Sequence, residues 1–372
     1  MNFRDFIPSK DKLIKIIVFV FIIGGILSVI KVTRDQQKAY CFTRLDDLYG
    51  DVRTKITPIN NTDITFKYRL RDYYIKSSYN SCSCGDFSNG YVSLEALKQI
   101  IRQGVRLIDL EIYSVGGKAV VAASKDDNFH IKGTLNSLPI SDVLKTIHKN
   151  ACNRVAGSEI CPNPTDPLFI NLRIKSNQND IYNEIADTLN RHFDNLLSKY
   201  DKKYAFESGG KNLGNEGLSV LREKVIIICD RSNSNYRESK LEELVNMNSI
   251  SIFLKKLRNY DVVYAPSSKD LVEYNKKNMS VTMPDYNPLA VNDMNSAKHH
   301  QAGCQFVCMN FQAQDANIAY YNKLFEEKRS AFILKNKNLR YIKTSIPRPT
   351  PPDPQLSYED RDVVMRQYQG KM

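Results

Sequence analysis

The chain has 372 residues, of which 53 are basic and 41 acidic, so its net charge is +12 at neutral pH. This length suffices for one large α/β domain with flanking segments. The positive charge favours anionic partners such as phospholipid head groups. Nucleic acid is not expected, because no basic cluster is interleaved with aromatic side chains in the way a single-strand binding groove requires. The eight cysteines lack the paired spacing of a zinc site.

The N-terminal region contains one long apolar run. Residues 1–12 are polar, whereas residues 13–32 are almost entirely apolar. About 20 apolar residues cross a bilayer, so we interpret this run as a membrane anchor of a single-pass protein. A cleaved signal peptide is the alternative, although a small-x-small cleavage pattern does not follow the run. Basic residues flank both ends of the run, so the sequence does not determine which side of the membrane the domain faces.

A polar connector follows over residues 33–64, with a short helix predicted near residues 43–49. From residue 65 to residue 342, buried-strand patterns then alternate with amphipathic helices. Such alternation predicts a parallel sheet, and six or more units in this length favour a closed α/β barrel. Helices are predicted at 94–103, 139–148 and 180–200, and strands at 73–80, 104–113, 118–123, 168–174, 224–229, 262–264, 279–282, 303–311 and 330–334.

The strand from Gly104 to Tyr113 carries two acidic residues, Asp109 and Glu111, within a mostly apolar sequence. Buried carboxylates need a partner. A parallel barrel keeps its chemistry at the carboxyl ends of its strands, so we expect the candidate site there.

Two further features have less specific interpretations. Cys152 and Cys161 could close a disulfide in an oxidising compartment, or both could be free thiols. Residues 343–372 form a Pro-rich tail that is expected to be extended and solvated, with a short helix over residues 358–372. This tail could dock on an aromatic groove of a protein partner, or it could simply be exposed.

Three segments together resemble the phosphatidylinositol-specific phospholipase C family. Residues 74–80 are similar to that family's strand ending in Ser-Ser-His-Asn, and residues 104–113 to its Gly-x-Arg-x-x-Glu-Leu-Asp strand. Residues 303–312 match its Gly-Cys-Gln-x-Val-x-x-Asn-x-Gln strand most specifically. The resemblance spans about residues 65–342, with an X-like half at 65–175 and a Y-like half at 260–342. It implies a distorted TIM (β/α)8 barrel, and it suggests phospholipase C-like proteins of large DNA viruses as relatives, which would place the chain in a host or virion membrane.

The resemblance also implies a chemistry. Such enzymes use two histidines and a calcium ion to attack phosphorus with the inositol 2-hydroxyl, the ion being held by an Asn and several carboxylates. Asn80 matches the Asn ligand, and Asp109 and Glu111 match the two acids of the central strand. Other positions depart from the family: Tyr79 replaces the first histidine, Arg173 replaces a calcium-binding glutamate, and Ile228 and Val281 replace cationic phosphate-binding residues.

The remaining candidates follow from the same resemblance. His130 lies near the place of the second histidine and is either an acid catalyst or a loop residue. If the site is active, we expect His130, Arg173 and Asp109 to be catalytic and Asn80, Ser78 and Lys175 to bind substrate. No cofactor is expected, and calcium would bind only if Asn80 and Glu111 still form a metal site. His148, His192, His299 and His300 are interpreted as ordinary helix or loop residues.

Three functions fit these residues to different degrees. The first is a membrane-anchored barrel that binds phospholipid head groups or a partner and has lost calcium-dependent catalysis. The second is an active, metal-independent phosphoric diester hydrolase in which Arg173 replaces calcium, Asp109 orients it and His130 is the acid. The third, a glycerophosphodiester phosphodiesterase, would require a histidine pair and a Glu-rich metal site that the sequence does not offer.

Overall fold

The computed structural model describes residues 10–50, 52–126, 132–152, 161–230, 234–286, 294–343 and 362–371. The chain divides into two compact units, one ending at Arg340 and one beginning at Tyr341. The first unit contains twelve of the strands that follow, and the second contains the last two. The strands are β1 (Tyr73–Ser78), β2 (Leu107–Val115), β3 (Lys118–Ala122), β4 (Leu138–Pro139), β5 (Leu168–Lys175), β6 (Val225–Cys229), β7 (Met247–Asn248), β8 (Ile250–Ser251), β9 (Leu254–Arg258), β10 (Met279–Met283), β11 (Phe306–Met309), β12 (Phe332–Leu334), β13 (Asp362–Met365) and β14 (Tyr368–Lys371).

Eight parallel strands form a nearly closed barrel in the order β7-β6-β5-β2-β1-β11-β10-β9. This confirms the expected distorted TIM barrel. Short antiparallel strands extend it: β3 pairs with β2, β8 with β9, and β12 with β1. The helices are α1 (Lys10–Tyr49), α2 (Leu94–Arg102), α3 (Ile140–Ala151), α4 (Asn179–His192), α5 (Leu197–Tyr200), the left-handed turn α6 (Ala205–Gly209), α7 (Asn259–Val263), α8 (Ser268–Lys277), α9 (Ser296–Gln301) and α10 (Ala316–Lys328).

Strand alternation divides the core into two layers. On β2, Ile108, Leu110 and Ile112 pack in one cluster with the apolar faces of α2, α3 and α4. Leu107 belongs to the other cluster, which fills the barrel and includes the edge-on ring contact between Phe169 and Phe306, with centroids 5.0 Å apart. Successive residues of a strand point to opposite faces, so Asp109 and Glu111 share the interior face with Leu107.

The helix α1 is continuous over 40 residues. The short helix predicted at residues 43–49 is therefore only the last part of α1, and about half of the connector predicted over residues 33–64 is helical. Its apolar N-terminal part is exposed, and by length and composition it could cross a membrane; a signal sequence has the same character. Its C-terminal part packs on the barrel through the buried side chains of Leu45 and Tyr49. The Tyr49 hydroxyl donates a hydrogen bond of 2.8 Å to the carbonyl oxygen of Phe311, just after β11.

Two other local predictions are wrong. Residues 262–264 were expected to form a strand, but Asn259–Val263 is a helical turn and the strand is β9, Leu254–Arg258. The predicted helix 180–200 ends at His192, because the chain leaves the helical conformation at Phe193 before the separate short helix α5. By contrast, the start of α2 is as expected, since the Ser93 hydroxyl accepts a hydrogen bond from the backbone N–H of Glu95.

In the second unit, β13 and β14 pair as an antiparallel hairpin, so the helix predicted over residues 358–372 is wrong where the structure describes it. The Pro-rich residues 347–354, the predicted docking segment, lie outside the described residues. In the first unit, Cys152 and Cys161 both carry free thiols.

Candidate functional site

The pairing of β2 with β5 places four polar residues beside one another on the interior face of the barrel. Asp109 lies opposite Asn171, and Glu111 lies opposite Arg173. All four side chains are buried, with at most 1% of each residue exposed. Parallel strands in this register bring a guanidinium between two carboxylates. These four residues and Asn80, which follows β1, are called the Arg173 cluster below.

Arg173 binds both acids directly. Its Nε donates to Oδ1 of Asp109 at 3.0 Å, its Nη2 donates to Oδ2 of Asp109 at 2.9 Å, and its Nη1 donates to Oε2 of Glu111 at 3.0 Å. A bidentate contact of this kind fixes both orientation and distance. The other oxygen of Glu111, Oε1, accepts a hydrogen bond of 2.6 Å from the hydroxyl of Tyr113. Both carboxylates are therefore fully engaged inside the protein.

Two amide side chains complete the cluster. The side-chain oxygen of Asn80 accepts from Nη2 of Arg173, and the backbone N–H of Asn80 donates to Oδ2 of Asp109 at 2.9 Å. Asn80 has a φ of 42°, a left-handed conformation that Asn adopts more readily than most residues. The side-chain nitrogen of Asn171 donates to Oδ1 of Asp109 at 2.7 Å. These contacts use four of the five N–H donors of Arg173.

Tyr79 covers the cluster. Its ring centroid lies 4.7 Å from the central carbon of the Arg173 guanidinium, and its ring packs edge-on against Phe87. Burial raises the pKa of the Tyr79 phenol, although the guanidiniums of Arg173 and Arg258 oppose that shift. Tyr79 is therefore neutral at physiological pH and a poor general base.

The charge of Arg173 is secured by its neighbours. Burial by itself would lower the pKa of Arg173, but the charges of Asp109 and Glu111 and the adjacent Tyr79 raise it well above its ordinary value. A permanently protonated guanidinium thus sits where the two carboxylates converge.

This arrangement does not fit a calcium ion. Calcium takes six to eight oxygen ligands, yet the oxygens of Asn80, Asp109 and Glu111 that face the cluster already accept hydrogen bonds from a cation. A divalent ion there would be repelled by Arg173 at contact distance. Across the described ranges, no three His, Cys, Asp or Glu side chains are grouped so as to hold a metal.

Family models match most of the barrel. The model of the phosphatidylinositol-specific phospholipase C X domain matches residues 66–230, and that of the Y domain matches residues 223–338. The chain belongs to the phosphatidylinositol-specific phospholipase C family. A comparison with curated protein sequences finds no match.

Solved structures agree with this membership at the level of the fold. PLC21 of S. officinalis superimposes with a TM-score of 0.62 at 18% identity, covering 79% of this chain and 40% of that chain. PLC21 of L. pealei gives a TM-score of 0.60 at 18% identity, covering 74% of this chain and 38% of that one. The chain therefore spans about 40% of the length of these relatives.

The remaining candidate residues of this phospholipase C-like barrel do not belong to the Arg173 cluster. The Ser78 hydroxyl is buried and contacts the Ser81 hydroxyl and the carbonyl oxygen of Leu107. Lys175 is buried two residues after Arg173 on the same strand face. Ile228 and Val281 are buried on strands β6 and β10. His130 lies outside the described residues.

Sequence reasoning missed Arg258, a second cation at the mouth of this phospholipase C-like barrel. It ends β9, and its Nη1 donates to the carbonyl oxygen of Pro284 at 2.9 Å and to the Tyr79 hydroxyl at 3.4 Å. Its guanidinium also lies 3.7 Å from the ring centroid of Tyr286. The sequence signal for this strand was weak, because Leu254 and Leu257 are three residues apart and do not alternate, and two lysines lie between them.

Proposed function

We propose that this chain is a membrane-anchored member of the family that binds phospholipid head groups and lacks the family's calcium-dependent hydrolysis. One observation carries the proposal. Arg173 forms hydrogen bonds and ion pairs with Asp109 and Glu111 at the position where the family resemblance implies a calcium ion. Arg173 pairs with both acids inside the barrel, as in a structural ion-pair unit. Among the described residues, the side-chain nitrogen of Asn80 and the side-chain oxygen of Asn171 have no hydrogen-bond partner.

The surroundings of the cluster support a loss of turnover. Cleavage of a phosphodiester by this route needs a base, an acid and a cation that touches the phosphate oxygens. Tyr79 stands where the first histidine is expected, and its raised pKa makes it unsuitable as a base. The Arg173 guanidinium is 1% exposed, so a phosphate cannot reach it without displacing Tyr79.

Membrane attachment is supported by the exposed apolar part of α1. Anionic head groups as partners are supported by the net charge of +12. An anchored domain needs little intrinsic affinity for lipid, because attachment raises the effective concentration of head groups near its mouth.

The alternative, a metal-independent hydrolase, has one observation in its favour. Asp109 holds Arg173 in a bidentate contact, as an orienting carboxylate would. The alternative requires that a guanidinium edge faces substrate, whereas four of its five N–H donors are bonded within the cluster.

The test is turnover by the full-length chain in phosphatidylcholine nanodiscs that contain phosphatidylinositol. Release of inositol phosphates and hydrolysis of soluble inositol cyclic phosphate are measured with calcium and with chelator. We expect rates equal to those of empty nanodiscs under both conditions. Calcium-dependent turnover would contradict the proposal. Turnover with chelator that is lost, per mole of folded protein, in Arg173→Ala but kept in Arg237→Ala, a surface control, would establish the alternative instead.

A further inference from the structure

A cavity of about 630 Å³ lies between the C-terminal part of α1 and three loops at the mouth of the barrel, which follow β1, β3 and β11. We call it the α1 cavity. The members of the Arg173 cluster do not line it. Its lining residues are Gln37, Tyr40, Cys41, Arg44, Gly85, Asp86, Ser88, Asn89, Gly90, Tyr91, Lys125, Gln312, Ala313 and Gln314.

The loop after β1 separates this cavity from the Arg173 cluster. Phe87 packs inward against the Tyr79 ring, whereas its neighbours Asp86 and Ser88 line the cavity. The matched family domains begin at residue 66, so the α1 wall of the cavity lies outside them. The α1 cavity is thus a feature of this chain in addition to its family barrel.

Polar groups in the cavity wall lack partners within the protein. Gln312 is 2% exposed, and neither its side-chain oxygen nor its side-chain nitrogen has a hydrogen-bond partner in the described part of the chain. The same holds for the buried Nε of Arg44. A buried polar group without a partner costs about 1–3 kcal/mol, so such groups normally meet water or a ligand.

The lining specifies the chemistry of that ligand. Arg44 and Lys125 contribute two positive charges and Asp86 one negative charge, which leaves a net charge of +1 while the Cys41 thiol is protonated. A phosphodiester carries a single negative charge. The amides of Gln37, Gln312 and Gln314 can donate to and accept from hydroxyl groups. From this geometry we propose that the α1 cavity binds the phosphodiester of a polyol, either as the head group of a membrane lipid or as the soluble deacylated form.

The position of the cavity favours the lipid source, and this part rests on the proposed membrane attachment. Gln37 lies five residues after Val32, the end of the apolar run, which is about 8 Å along a continuous helix. The head-group layer of a bilayer is about 5–8 Å thick on each side. The Tyr91 hydroxyl donates to the carbonyl oxygen of Arg34 at 3.1 Å, so the loop contacts α1 beside this boundary.

The experiment uses the full-length chain in phosphatidylcholine nanodiscs with or without 10% phosphatidylinositol. Native mass spectrometry counts phosphatidylinositol retained by the released protein, and calorimetry measures binding of soluble glycerophosphoinositol to the chain in pure phosphatidylcholine nanodiscs. Arg44→Gln removes the charge, and Gln312→Leu removes the buried amide. Arg34→Gln is the matched control, since it removes the same charge from an exposed residue of the same helix.

We expect Arg44→Gln and Gln312→Leu to weaken retention at least tenfold and the control to change it less than twofold. Gln312→Glu, which keeps the side-chain size, should also weaken retention if its melting temperature is unchanged. If the chain binds soluble glycerophosphoinositol with an affinity equal to its affinity for phosphatidylinositol in the nanodisc, the soluble form would be identified as the ligand. Retention that is equal in all variants would overturn the cavity assignment and leave the proposed function standing. A wild-type chain that retains no phosphatidylinositol and binds no glycerophosphoinositol would overturn both the cavity assignment and the lipid-binding part of the proposed function.

Discussion

The guanidinium of Arg173 and the carboxylate of Asp109 form a buried two-point contact, with Nη2 2.9 Å from Oδ2 and Nε 3.0 Å from Oδ1. The two strands are adjacent and parallel, and each side chain points into the barrel. A positive charge supplied by the chain thus pairs with both acids that the family resemblance assigns to a metal, and it balances one of their two negative charges. This substitution has consequences for stability, for metal binding and for the rest of the barrel mouth.

Replacing Arg173 by methionine should destabilise the barrel strongly. Asp109 and Glu111 would remain buried without a positive partner, and breaking such a pair costs about 3–5 kcal/mol. The free energy of unfolding is measured by denaturant titration of the full-length chain in detergent. The control is Arg237→Met, whose exposed ion pair with Glu207 should contribute less than about 1 kcal/mol. A loss for Arg173→Met as small as that of the control would contradict the burial of the cluster.

Replacing Arg173 by glutamate should create a calcium site that the wild type lacks. A third carboxylate beside Asp109, Glu111 and Asn80 would supply oxygen ligands and remove the repelling charge. At saturating calcium the variant should gain a few degrees in melting temperature, because an ion that binds only the folded state stabilises it. Wild type should not respond. A calcium-induced shift in the wild type would show that the ion and Arg173 coexist.

Gln305, from the motif that matches the family most specifically, should be essential for stability rather than for ligand binding. Its Nε2 lies 2.9–3.0 Å from the carbonyl oxygens of Arg71, Asn275 and Asn278, which share its two N–H donors, and its Oε1 accepts from the N–H of Ser280. Gln305→Leu leaves several buried backbone groups unpaired, so we expect a loss of about 3 kcal/mol in unfolding free energy.

The control for Gln305→Leu is Gln301→Leu, which changes an exposed residue of α9. It should alter stability by less than about 0.5 kcal/mol. The folded fraction of Gln305→Leu should retain phosphatidylinositol like the wild type, and a selective loss of retention would instead assign Gln305 to a binding site.

Cys41 should be alkylated at neutral pH. A hydrogen bond with Cys84 lowers the pKa of Cys41 to about 7, with a smaller contribution from Arg44 and against the effect of burial. The thiolate should therefore accumulate as pH rises through 7, and the rate of reaction with iodoacetamide should rise over the same interval. Burial raises the pKa of Cys152 to about 11, so that thiol should react slowly throughout.

Two comparisons make the cysteine experiment specific. Cys84→Ala removes the hydrogen bond and should move the midpoint for Cys41 toward pH 9. Because Cys41 lines the α1 cavity, phosphatidylinositol in the nanodisc should slow its alkylation at every pH. A midpoint that stays near 7 in Cys84→Ala would contradict the assigned cause of the shift.

Local sequence patterns predicted most of the barrel. Short, largely apolar runs identified β1, β2, β5, β6 and β10, because barrel strands are buried on both faces, and Ser93 identified the start of α2 by its capping oxygen. Strand β9 was not predicted, because Lys255 and Lys256 interrupt its apolar sequence at the edge of the barrel. The sequence also did not show that the apolar run and residues 43–49 belong to one helix. The polar part of α1 between them is exposed, so it has no apolar face that would mark it as helical.

The sequence by itself determined the family and the parallel α/β architecture, and its resemblance to the family led to the expectation that Arg173 replaces a calcium-binding glutamate. These depend on residue identity and on short periodicities along one strand or helix. Only the tertiary structure decided what Arg173 contacts, that Tyr79 covers it, and that Arg258 and the α1 cavity lie at the mouth. Those relations join residues up to 277 positions apart, such as Gln37 and Gln314, and they arise from strand register and packing, which no local pattern encodes.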